Sequence, residues 1–517
     1  MTRQKSALYN LLSAFILNIV TVLLGFVTQR LFIMELGTDA AGLHSLFSTI
    51  TNIFVMADMG VGAAVIFHMY KPFAKKQYDA IVALVNFYRK VCFGVSGFII
   101  VGGVMLLPFL GMMTNNSQVG VNIYALFSLY IVNSVFAYLM TYKRAILQAD
   151  QKNYVISTIH VGYVLLLNSI QIALLLTTKN YYLFMAVMIV MRIVENILLN
   201  LYIDRKYTFL RKRVKKGLSQ STKKGIIKLV KGSFFHNSAG HLVSGVDNVV
   251  ISSILGLTTL GLYSNYQMIF MAAGILISQV FYSITANIGN LLIEHNLEKS
   301  FSMVKRLRLL NLAFGIVATS VLWMVTKPFI TLWLGEGFLL GDVVLLVLVA
   351  NFFLQTMRAG MITMQSAAGI LYENRFIPIY ETIINLVLSV ALAVVFGLPG
   401  VIVATIISVL FLHLVAYPKY VFEVILQRKR IEYIYAMVKD SVMAAAVLII
   451  EYGVMKLCAG VDNIFMYGVI CLAMSLVIPG VLLYVFYGKS DEFRYFRDFA
   501  VEKWSTLKGC QRVKSEK

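Results

Sequence analysis

The sequence predicts an all-α integral membrane protein with about 14 transmembrane helices. Hydrophobic residues make up 59% of the chain and charged residues 13%, with mean hydropathy +0.80, whereas soluble domains carry roughly 25% charged residues. Only seven prolines interrupt 517 residues, so the apolar runs stay long. They lack the alternating polarity of barrel strands, and in hydrocarbon the backbone must then satisfy its own hydrogen bonds as helix.

A span needs about 20 apolar residues. On that measure the spans fall at 9–35, 42–68, 88–111, 121–142, 154–177, 181–203, 229–256, 262–292, 309–334, 342–365, 377–397, 400–423, 440–458 and 464–487. The first run follows the basic start Met1–Lys5 and so imitates a secretory signal. It is too long for one and has no small-residue cleavage site, so it reads as a span. Cys92, Cys458, Cys471 and Cys510 are scattered, with neither a paired-cysteine motif nor metal-ligand spacing. No metal site and no disulfide is expected.

Charge sets the orientation, because basic residues are retained on the cytoplasmic side. Lys179, Lys327 and Lys456 fall on one side, and Arg30, Arg192 and Arg358 lie inside spans. The remaining 39 of the 45 basic residues sit on the other side. Both termini are therefore expected in the cytoplasm. The densest block, 204–228, carries much of the net charge of +21 and reads as a cytoplasmic connector. A nucleic-acid partner is not expected, since the positive-inside rule already accounts for the block.

The connector separates two halves that repeat each other. Leu36-Gly37 and Gly42-Leu43-His44-Ser45 match Leu255-Gly256 and Gly261-Leu262-Tyr263-Ser264 at a constant offset of 219. Many secondary transporters are built from such repeats, with the substrate path at their interface.

Several stretches resemble one family. They are Arg30-Leu31-Phe32 with Leu36-Gly37, Leu147-Gln148-Ala149-Asp150-Gln151-Lys152-Asn153-Tyr154, Asp247-Asn248-Val249-Val250-Ile251-Ser252, Gly261-Leu262-Tyr263-Ser264-Asn265-Tyr266 and Ala367-Ala368-Gly369. In order and spacing the chain resembles the bacterial polysaccharide-repeat flippases (Wzx type), whose superfamily also holds lipid II flippases and multidrug and toxin extruders. The resemblance implies two pseudo-symmetric six-helix lobes around a central cleft, plus two C-terminal helices, working by alternating access. The divisions expected are an N-terminal lobe 1–203, the connector 204–228, a C-terminal lobe 229–423, extra spans 424–487 and a basic cytoplasmic tail 488–517. The implied cargo is an oligosaccharide on undecaprenyl diphosphate, moved across the bacterial cytoplasmic membrane for capsule, O-antigen or another surface glycan. A polysaccharide polymerase and glycosyltransferases are the protein partners that this role suggests.

Ionisable groups inside hydrocarbon are costly and must face a cavity or a partner. Arg30, beside Gln29, lies near the outer end of span one, and Arg358 lies well inside span ten. A guanidinium matches a diphosphate through two parallel hydrogen bonds. Arg30, Gln29 and Arg358 are therefore the expected substrate contacts, with Lys231 at the start of span seven as a first receiver. For Arg30 the competing reading is a side chain that snorkels to the headgroups; for Lys231 it is membership of the basic connector. Asp247 and Asp58, deep in spans seven and two, are candidates for a gate or for coupling to protons or sodium. In the repeat overlay Thr28 matches Asp247 and Arg30 matches Val249, which places Arg30 and Asp247 at one depth as an expected ion pair. Arg192 and Glu195, three apart, are expected to neutralise each other locally.

No constellation supports catalysis, and no cofactor or nucleotide loop is expected. The alternatives are an ion-coupled small-molecule exporter of the same superfamily, and a membrane-embedded polymerase or glycosyltransferase. Intramembrane arginines argue against the first. The small uncharged loop at Thr114-Asn115-Asn116-Ser117 argues against the second.

Overall fold

The computed structural model describes residues 3–55, 60–115, 119–211, 218–293, 296–370 and 376–498. No β-strand occurs among them. The helices are α1 (Arg3–Leu36), α2 (Thr38–Val55), α3 (Val61–Ala74), α4 (Tyr78–Leu106), α5 (Leu110–Met113), α6 (Ile123–Leu139), α7 (Arg144–Ala149), α8 (Asn153–Thr178) and α9 (Tyr181–Lys206). They continue as α10 (Gln220–Val250), α11 (Leu257–Ile293), α12 (Leu297–Trp333), α13 (Asp342–Ala368), α14 (Ile377–Phe396), α15 (Leu398–Phe411), α16 (Arg430–Leu457) and α17 (Ile464–Tyr487).

Twelve helical segments among the described residues are long and apolar enough to cross a membrane. The other two predicted spans take a different form. Span two is divided between α2 and α3, with residues 56–59 outside the described residues. Span seven is α10, whose apolar part, Leu242–Leu255, ends in a π-turn at Ile251–Leu255. Large apolar side chains lie on the surface, among them Leu23, Val394, Val395 and Leu457, as a lipid-facing exterior requires. Asn122, Asn180 and Asn463 cap α6, α9 and α17, each accepting from two backbone N–H groups of the first turn. Those N–H groups have no partner within the helix itself.

The chain forms two compact units. The first contains residues up to Asn265 together with Pro378–Ala404. Within it α1 lies along α8, α4 packs on α6, and α10 packs on α2 and α3. The buried rings of Phe47, Phe127 and Tyr130 interlock edge to face, Phe47 lying 4.9 Å from Phe127 and 5.5 Å from Tyr130. A second core gathers Met69, Ile81, Ile146, Leu147 and Ile203. Lipid tails are as apolar as these side chains, so close packing and buried hydrogen bonds hold such a bundle, with little help from water exclusion.

The repeat is visible in this unit. Gly37 and Gly256, which correspond at the offset of 219, both adopt φ +91°, a conformation that side chains rarely tolerate. Each turns the chain into the next helix, α2 or α11.

The second unit contains Tyr266–Ile377 and Thr405–Lys517. Its α12 packs against α13, α16 and α17. Arg308 on α12 pairs with the buried Asp440 of α16 at 3.0 Å, and Tyr487 of α17 donates to the other carboxylate oxygen at 2.5 Å. One carboxylate thereby ties three helices together, and removing a partner of such a buried pair costs about 3–5 kcal/mol.

Candidate functional site

Asp247 is 5% exposed near the end of α10. Two donors from α14 reach its Oδ1: Asn385 through Nδ2 at 3.1 Å and Ser389 through Oγ at 3.3 Å. The next residue, Asn248, donates to Thr49 Oγ1 of α2 at 2.8 Å. A buried charge or amide needs such partners: Asp247 accepts from two side chains of α14, and Asn248 donates to one of α2. On α14 the buried polar residues Glu381, Asn385 and Ser389 recur every four positions, which puts them on one helical face. That stripe in an otherwise apolar helix is the signal in the sequence that would have pointed to Asn385 and Ser389.

The first repeat holds the corresponding contact. Thr28 Oγ1 of α1 donates to Asn168 Oδ1 of α8 at 2.6 Å. Thr28 and Asp247 are 219 residues apart, and Asn168 and Asn385 are 217 apart. The same helix pairing is therefore pinned by an asparagine in both halves, with a hydroxyl in one and a carboxylate in the other. Only the second half places an ionisable group there.

The ion pair expected between Arg30 and Asp247 is not formed in this structure. Arg30 is exposed and makes no ion pair among the described residues, while the Asp247 carboxylate is held by α14. Helix geometry gives the reason. Thr28 faces α8, and two residues further on a side chain points about 200° around the axis, so Arg30 leaves that face. Gln29 turns to a third direction and donates through Nε2 to the buried Asn265 at 3.0 Å.

Arg358 lies in the second unit, on α13, where Nε donates to Tyr417 at 3.1 Å and Nη1 to Gln355 Oε1 at 2.8 Å. The buried His413 packs its ring on Tyr417 at 5.3 Å. One His413 nitrogen lies 2.6 Å from the Tyr433 hydroxyl and the other 3.0 Å from the Leu354 carbonyl. Asp58 and the side chain of Lys231 lie outside the described residues.

Arg192 and Glu195 pair as their spacing predicts, at 3.0 Å. The same carboxylate also takes His160 at 2.8 Å and Arg144 at 3.3 Å, and the Arg192 guanidinium lies 4.8 Å from the Tyr163 ring centre. Glu195 is thus the hub of a structural network. No group of three or more His, Cys, Asp or Glu suited to a metal occurs among the described residues.

The fold is shared with known transporters. The chain is similar to the lipid II flippase MurJ in an inward closed conformation, with TM-score 0.62 and 15% identity over 92% of this chain and 98% of that one. It is similar to an inward-facing multidrug resistance MATE family transporter of the MOP superfamily, with TM-score 0.58 and 13% identity over 82% and 95% of the two chains. A Vibrio cholerae MATE transporter matches with TM-score 0.56 and 13% identity over 79% and 94%. No family model matches the chain, and no curated protein does. At these identities the likeness is one of fold.

Proposed function

We propose that this protein moves an oligosaccharide linked to a polyprenyl diphosphate across the bacterial cytoplasmic membrane by alternating access, with both termini in the cytoplasm. The observation that carries the reading is the extent of the fold it shares with the lipid II flippase, 92% of this chain against 79% to 82% for the two MATE transporters. An anionic cargo also suits the chemistry of Arg30 and Arg358. Arg30 is exposed and makes no ion pair among the described residues, and Arg358 is held in place by Tyr417 and Gln355. In this reading Gln29 orients the outer end of the path, Lys231 receives the diphosphate first, and repeat halves with boundaries near 1–203 and 229–423 rock about the cargo. Asp247 supplies the coupling to protons or sodium. A population shift needs a ligand that contacts two states differently, and a diphosphate that meets one arginine per state would meet that need.

The test is reconstitution of the purified protein in proteoliposomes with a fluorescent polyprenyl-diphosphate oligosaccharide. Lipid accessible to an impermeant quencher should redistribute between leaflets with the wild type. The rate should fall at least tenfold with R30A or R358A, and partly with the lysine variants, which keep charge but lose the forked donor. Unchanged rates in both alanine variants would sink the anion reading. Efflux of a cationic dye by the same vesicles, with no redistribution of lipid, would favour a small-molecule exporter.

A further inference from the structure

A cavity of about 410 Å³ opens where the first turns of α4, the end of α9 and the turn before α7 meet. Arg89, Lys143 and Arg205 line it, with Asp204 as its carboxylate. Asp204 is already engaged, because Lys143 Nζ lies 2.7 Å and 2.8 Å from its two oxygens. Arg89 and Arg205 make no ion pair or hydrogen bond among the described residues. Arg89 is steadied by rings instead, its guanidinium lying 5.5 Å from the Phe93 centroid and 5.7 Å from that of Tyr142. Two forked cations therefore line one polar cavity, whose one lining carboxylate is already paired with Lys143.

The other wall is apolar, made of Val82, Val85 and Leu201. Leu201 is 50% exposed, and Leu198 above it on α9 is 52% exposed. The segments that form the cavity end here as candidate membrane spans, at Tyr78 and Lys206. A ligand in this place would meet charge at the depth of the headgroups and an apolar helix face beside it. Retention of basic residues on one side of the membrane explains why cations occur at this level, but it does not explain why they line one cavity together.

We infer that this cavity holds the phosphate of an anionic lipid headgroup, with Arg89 and Arg205 as its donors and the acyl chains lying along the exposed leucines of α9. Basic pockets between transmembrane helices are a recognised place for such headgroups. Free phosphate has the same binding chemistry, but the apolar wall favours the lipid. The site uses none of the residues assigned to the transported cargo, so it stands or falls independently of the proposed transport.

Thermal unfolding of the full chain in neutral detergent, with added phosphatidylglycerol, phosphatidylcholine or inorganic phosphate, tests it. Phosphatidylglycerol should raise the melting temperature in a saturable way, and phosphatidylcholine should not. The double variant R89Q/R205Q should need about tenfold to thirtyfold more phosphatidylglycerol, since each surface cation supplies roughly one unit of this attraction. Both residues are exposed, so the variant's melting temperature in phosphatidylcholine should match the wild type and report intact folding. R89K/R205K should lie between the two. An equal response of wild type and R89Q/R205Q to phosphatidylglycerol overturns the site. Saturation by inorganic phosphate at the same concentration overturns the lipid as its source.

Discussion

Gly42 and Gly261, 219 residues apart, sit in reciprocal contact: a β-carbon on Gly42 would lie 2.0 Å from the Leu257 carbonyl oxygen, and one on Gly261 would lie 2.2 Å from the Thr38 carbonyl oxygen. Thr38 and Leu257 are themselves equivalent at that offset. Helices α2 and α11 thus cross about a local twofold relation, backbone against backbone. Thr258 reinforces the crossing by donating to Asp39 at 2.5 Å, and these two residues also correspond in the repeat.

Either G42A or G261A should force the crossing apart, because the obstacle is backbone and cannot rotate away. Overpacking of this kind costs about 1–3 kcal/mol. Cysteines at Asp39 and Thr258 should form a disulfide readily under mild oxidant in the parent protein, and the yield should fall severalfold when G42A is added. Equal yields would mean that the helices do not rely on this contact. If transport requires the crossing to open, the disulfide should also arrest it until a reductant is added.

The orientation can be read by labelling intact cells with an impermeant thiol reagent. Of Asn115→Cys and Ser219→Cys, only the first should react if the side rich in lysine and arginine faces the cytoplasm. Labelling at position 219 from outside would reverse the topology and, with it, the direction of transport.

Glu195 should be the most sensitive member of its network. Its carboxylate is fully buried and meets Arg144, Arg192 and His160. E195A leaves two guanidiniums without their shared anion, at a cost of about 3–5 kcal/mol. R192A leaves Arg144 and His160 to compensate the same carboxylate. Membrane-extracted E195A should therefore melt well below R192A, and equal melting temperatures would show that the network is not held by its carboxylate.

Much of the architecture was legible in the sequence because hydrocarbon imposes one rule on every span. Length and apolarity located the helices, and the offset of 219 predicted equivalences that the geometry bears out at Gly37 and Gly256. The partners of Asp247 were not read in advance, for a physical reason. Periodicity says which residues share a helix face, but not which helix that face will meet. Depth alone paired Arg30 with Asp247. The direction of each side chain decided otherwise, and the carboxylate found Asn385 and Ser389.

That difference between the repeats leads to the last prediction. Thr28 bonds to Asn168 in one half and Asp247 to Asn385 in the other, so D247T would give the second half the hydroxyl of the first. D247N keeps an acceptor oxygen for both donors and removes only the charge. Both variants should fold, since each keeps an oxygen to accept from Asn385 and Ser389 and avoids the cost of burying a carboxylate. If Asp247 carries the coupling ion, transport by D247N and D247T in proteoliposomes should no longer respond to an imposed proton or sodium gradient, whereas N385A should weaken the response without abolishing it. Downhill redistribution of the labelled lipid should persist in D247N, because the arginines assigned to the cargo are untouched. A D247N protein that still accelerates severalfold under the gradient would assign coupling to another carboxylate. The buried Glu381, one turn from Asn385 on the same face of α14, would be the first to examine, with E381Q as the matching variant.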